Sequence, residues 1–125
     1  MTHDKYINRM TTKFLLILLL SVCNISSFAD GYNARQAKWH MREAEYYQKK
    51  AEGHRKEAQY FLKKAEDYQR EAAYYIRKGD ADRTKDYNRR AERAIDDYKT
   101  QLSYAKKADE TAADHMRKAN NALRK

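Results

Sequence analysis

Proline is absent from the 125 residues, cysteine occurs once, at Cys23, and glycine three times. Without proline the chain lacks the residue that most firmly ends a helix, so long uninterrupted helices are open to it. One cysteine excludes an internal disulfide and a cysteine-ligated metal cluster. Beyond residue 29, Leu, Ile, Val and Phe are represented only by Phe61, Leu62, Ile76, Ile95, Leu102 and Leu123. That excludes a bulky aliphatic core, and with a net charge of +9 such scarcity ordinarily marks a disordered chain. A Gly-rich phosphate loop and a Ser/His/Asp arrangement are missing too. Carboxylate neighbours such as Asp96 and Asp97 lie among Arg93 and Lys99, as on a solvated face. No constellation specifies a reaction, and the expectation is a protein that is not an enzyme and carries no cofactor.

The first 29 residues read as a signal peptide. Lys5, Arg9 and Lys13 precede an apolar run from Phe14 to Val22, and Ser27-Phe28-Ala29 resembles a signal-peptidase site with Asp30 as the new terminus. The run is shorter than the about 20 residues a membrane span needs. Translation from Met10 would make the signal more compact. Leu20-Ser21-Val22-Cys23 resembles a lipoprotein processing site, although Val22 replaces the small residue usual there. The expected destination is outside the cytoplasm, periplasmic or secreted, with Cys23 lost with the signal or, as a lesser alternative, lipidated. Cleavage would remove three basic residues and one acidic residue, lowering the net charge from +9 to +7.

What the remaining chain does contain is period. From Ala37 it can be written as the heptads AKWHMRE, AEYYQKK, AEGHRKE, AQYFLKK, AEDYQRE and AAYYIRK. Alanine opens each one, at Ala37, Ala44, Ala51, Ala58, Ala65 and Ala72. Three residues on come His40, Tyr47, His54, Phe61, Tyr68 and Tyr75, beside Met41, Leu62 and Ile76, so one helical face alternates small and aromatic residues. A second series, Ala91, Tyr98, Ala105, Ala112 and Ala119, keeps the same spacing. Ala94, Ala108 and Ala122, with Ile95, Leu102, Met116 and Leu123, join its face.

These patterns predict an all-α fold, an antiparallel two-helix hairpin of alanine-rich coiled-coil type over residues 30–125. Helix 1 is expected at about residues 34–78, a turn at 79–82 and helix 2 at about 83–124. Asn33 with Gln36 makes a capping box at the start. Lys78-Gly79 suits a helix C-terminus, and Asp80 or Asp82 can cap the second helix. Gly53 is the weak point of helix 1, where a bend could make three helices. Alanine buries little area, so a lone hairpin of this kind should be marginal and should pair into a larger bundle.

Two further rows are candidates for function. Trp39, Tyr46, Tyr60 and Tyr74 stand off the main seam, the tyrosines 14 residues apart, as an interaction surface for a second copy or a helical partner. Arg42, Lys49, Lys56, Lys63, Arg70 and Arg77 form a basic line suited to a polyanion such as lipopolysaccharide, anionic lipid or nucleic acid. Glu45, Glu52 and Glu66 stand close enough to pair with those cations instead. Next to the line, Glu43, Lys50, Glu57, Lys64, Glu71 and Lys78 alternate in sign.

His40, His54 and His115 each follow an alanine by three, at Ala37, Ala51 and Ala112. This pattern is similar to the Ala-x-x-His heptads of small periplasmic metal-binding helical proteins, which implies weak metal binding as one reading. That family has histidine in most repeats, whereas Tyr47, Phe61, Tyr68 and Tyr75 fill the row here. A fold about residues 80–81 puts His115 opposite Tyr46, away from His40 and His54. The histidines are therefore expected as packing groups of the seam, with no metal site. The leading expectation is an exported helical interaction or scaffold protein, ahead of the polyanion binder and of weak metal binding.

Overall fold

The computed structural model describes residues 31–125; the expected signal segment and cleavage site, and Cys23, lie outside the described residues. Two helices, α1 over Gly31–Lys78 and α2 over Ala81–Leu123, pack as a hairpin, with no strand among the described residues. α1 runs through Gly53 without interruption. It also begins ahead of the expected capping box. Asn33 is inside the helix, and Gln36 donates from Nε2 to Tyr32 Oη at 3.3 Å, a side-chain pair one turn apart that supports the first turn.

The turn is two residues long, and its chemistry is local. Gly79 adopts φ 73°, the left-handed conformation that costs a residue with a Cβ roughly 1–2 kcal/mol. Its N–H donates to Ile76 O at 3.1 Å, and Asp80 N–H donates to Tyr75 O at 3.0 Å, so two of the last carbonyls of α1 are satisfied. Asp80 then caps α2: its Oδ1 accepts from Arg83 N–H at 3.0 Å. Arg77 and Lys78 stand where the helix dipole favours cations.

The described residues divide into two units. In the first, residues 31–43 of α1 face residues from Asp114 onward of α2, and the buried hydrophobic residues are Ala37, Met116 and Ala119. In the second, Ala44–Ala113, they are Ala44, Ala51, Ala58, Ala65 and Ala72 from α1 with Ala91, Ala94, Ala105, Ala108 and Ala112 from α2. Every alanine that opens a heptad of α1 is thus at most 3% exposed. Methyl groups this small let backbones approach, and they leave the aromatic seam residues half-buried at the margins. Ala51, Ala105 and Ala108 form one such cluster, with Tyr47 packed against it.

Polar groups cross between the helices of the second unit as well. Arg55 and Asp109 pair at 2.8 Å, while the other ion pairs named among the described residues are local in the chain, at i,i+3 or i,i+4. His54 Nδ1 donates to Gln101 Oε1 at 2.8 Å. Gln101 holds this half-buried place beside the seam, and the aliphatic Leu102 next to it is 38% exposed. Ile76 is likewise turned out, at 62%. Near the turn, Tyr87 stacks on Tyr75 at 5.4 Å and meets Tyr68 at 6.2 Å.

Candidate functional site

In the second unit, α1 carries a motif repeated every 14 residues: Tyr46-Tyr47-Gln48-Lys49-Lys50, Tyr60-Phe61-Leu62-Lys63-Lys64 and Tyr74-Tyr75-Ile76-Arg77-Lys78. The first ring of each is exposed: Tyr46 and Tyr60 at 57%, Tyr74 at 44%. Each meets the following ring edge-on, with centroids 5.2, 5.4 and 5.1 Å apart. The second ring of each pair leans into the seam, so the pair joins the alanine core to the outer surface.

Lysine belongs to the same unit of repeat. Lys64 Nζ lies 5.6 Å from the Tyr60 ring centre and Lys78 Nζ 5.6 Å from that of Tyr74. Lys50 takes the neighbouring ring, Tyr47, at 5.9 Å. The alternation in sign along Glu43, Lys50, Glu57, Lys64, Glu71 and Lys78 thereby has a physical meaning. Cations stand four residues after Tyr46, Tyr60 and Tyr74, whereas the acids stand four residues after Trp39, Gly53 and Asp67. The signal was present in the sequence as two coincident 14-residue periods, the tyrosine spacing and the charge alternation.

The basic line is partly neutralised. Lys49 pairs with Glu45 at 2.9 Å and Lys56 with Glu52 at 3.0 Å, both one helical turn apart. The hydrogen bond from Lys56 holds the Glu52 carboxyl below its usual value. Arg70 pairs with Asp67, so Glu66 is not its partner. Lys63 and Arg77 in this unit, and Arg42 in the other, make no ion pair among the described residues.

The first unit holds Trp39, half exposed, and a contact the sequence did not anticipate. His40 and His115 meet with Nδ1 atoms 3.0 Å apart and ring centres 5.3 Å apart. Trp39 stands edge-on to both, at 4.8 Å from His40 and 5.6 Å from His115. Burial holds the His40 imidazole below the ordinary histidine value; His115 and Lys118 push the same way, and Asp114 and Glu43 oppose them. Asp114 is itself held below the usual carboxylate range by hydrogen bonds from Lys118 and Arg117.

His115 is therefore not opposite Tyr46. A fold axis drawn through the turn assumes that the helices start level. What sets their level is the interlocking of alanines, as where Ala51 meets Ala105 and Ala108. His54, in the second unit, turns to Gln101 and lies against Tyr104 at 5.4 Å. Among the described residues no helix is long and apolar enough to cross a membrane. Comparison with protein-family models, with curated proteins and with solved structures finds no match to this chain.

Proposed function

We propose that the chain is an exported, non-enzymatic helical interaction protein that associates with a second copy of itself through the outer face of α1. The observation that carries this reading is the exposed tyrosine series Tyr46, Tyr60 and Tyr74, set on a unit whose core is built from alanine. Alanine methyls supply on the order of 0.8 kcal/mol each at most, against the about 1.5–3 kcal/mol of a buried larger side chain. A unit with so little internal burial gains much from covering three aromatic rings. Each ring is held by an edge contact, and Tyr60 and Tyr74 by a lysine as well, so ordering them on association costs less entropy. Trp39 is the same heptad position in the other unit. Coiled-coil packing between copies is the proposed mode, with a helical partner of another chain as the alternative occupant.

Sedimentation equilibrium of the chain from Asp30 onward tests this. At roughly 50 μM, well above a micromolar dissociation constant, the expected species is a dimer or larger, and Tyr46→Ser, Tyr60→Ser and Tyr74→Ser together should return it to monomer. A strict monomer at that concentration would end the proposal. A second reading, a cationic binder of envelope or extracellular polyanions, is supported by Arg42, Lys63 and Arg77, which have no acidic partner among the described residues. It requires heparin binding that weakens steeply with salt, because counterion release drives such contacts. Salt-independent binding, or none, would remove it.

A further inference from the structure

Unit 1 contains little buried apolar surface, and rings make its polar contact between helices. His40 from α1 and His115 from α2 hold their Nδ1 atoms 3.0 Å apart, with Trp39 edge-on to both imidazoles. We propose that His40 and His115 form a two-imidazole site for a late divalent transition-metal ion, copper(II) best of all. Each Nδ1 takes one equatorial position, and solvent completes the coordination beside the half-exposed Trp39.

With metal–nitrogen bonds of about 2.0 Å, two nitrogens bound at a right angle stand about 2.8 Å apart, and at a tetrahedral angle about 3.3 Å. The observed separation lies between the two, so the pair can serve either geometry, and copper(II) is favoured because it binds nitrogen more tightly than its neighbours. Both ligands sit on helices; one Nδ1 of the contact carries the hydrogen, so binding at both nitrogens shifts that ring to its Nε2–H tautomer, and ring rotation then turns the two lone pairs toward a shared ion. An imidazole must be neutral to bind, and the His40 environment disfavours its protonated form.

The charged groups acting on His40 are Asp114 and Glu43, which favour a cation, and Lys118, which opposes one. Asp114 is engaged by Arg117 and Lys118, so its share is reduced. No cluster of three or more His, Cys, Asp or Glu converges among the described residues. The site is consequently open and exchangeable, a binding site of moderate strength rather than a structural one. His54 supplies the contrast: same row, same helix, but its Nδ1 is committed to Gln101.

The chain contains a single tryptophan, Trp39, which makes its fluorescence a local reporter. The test titrates copper(II) chloride into the full chain carrying His3→Gln, since an amino terminus with histidine in third place binds copper by itself. Saturable quenching at one equivalent is expected, with a dissociation constant on the order of micromolar. His40→Gln and His115→Gln should each weaken it by about tenfold or more, and His54→Gln should leave it unchanged. Electron paramagnetic resonance of the same chain with its three seam histidines intact gives a readout that needs no seam variant to fold. Hyperfine coupling to two equatorial imidazole nitrogens supports the site. Coupling to one or none, or quenching indifferent to both His40 and His115, overturns it.

Discussion

Gly53 and Gly79 are the same residue in opposite circumstances. Gly79 has φ 73°, closes the end of α1 and hands its N–H to Ile76 O. Gly53 lies in the middle of α1 with ordinary helical geometry, and a Cβ built there meets nothing within 4 Å. The first exploits freedom from a side chain; the second only loses entropy on folding. Gly53→Ala should therefore raise unfolding stability by about 1 kcal/mol, the helix-interior difference between the two residues. Gly79→Ala should lower it by roughly 1–2 kcal/mol, the cost of a left-handed alanine. Urea denaturation of the two variants side by side checks both signs, and equal effects of one sign would refute the contrast.

For the helices the deciding quantity is how closely they approach. Ala51 is fully buried and touches Ala105 and Ala108, so there is no room at that level for a longer side chain. Ala51→Leu adds apolar surface yet should cost about 1–3 kcal/mol, because the helices must separate or the new side chain must leave its rotamer. Leucine in place of the exposed Ala73 touches no such cluster and should shift stability by less than about 0.5 kcal/mol. Thermal unfolding of both variants compares them directly. The buried alanines were legible from residue spacing alone, since helical periodicity is local in the chain. Register was not. It depends on which alanines interlock across two helices, and a symmetric fold about the turn put Tyr46 where His40 belongs. Side-chain competition was equally hidden: Gln101 takes a place beside the seam because it can accept the His54 N–H, which Leu102 cannot. The exposed tyrosines could be placed by counting, but the pairing of Lys64 with Tyr60 and Lys78 with Tyr74 follows only from two 14-residue periods that coincide on one face.

At the scale of the whole molecule, stability and association become one question. Among the described residues twelve of the thirteen buried hydrophobic ones are alanine, with Met116 the exception, so the two helices have little burial of their own to set against the entropy of ordering them. If the tyrosine face is covered by a second copy, part of the missing burial is supplied between chains, and unfolding must also dissociate them. Mass action then makes the melting temperature depend on concentration. Over a hundredfold increase in protein the midpoint should rise by roughly 5 °C or more, given the small unfolding entropy of a domain this size. Tyr46→Ser, Tyr60→Ser and Tyr74→Ser combined should flatten that dependence while leaving helicity at low concentration near the parent value, because these rings are 44–57% exposed within a single chain. Salt separates this from the charge-based reading. Burial of rings is insensitive to moderate salt, whereas the pairs Lys49–Glu45 and Lys56–Glu52 are exposed and screened. A midpoint that ignores protein concentration, in low and high salt alike, means the hairpin stands alone, and its outer tyrosines then serve only contacts within their own helix.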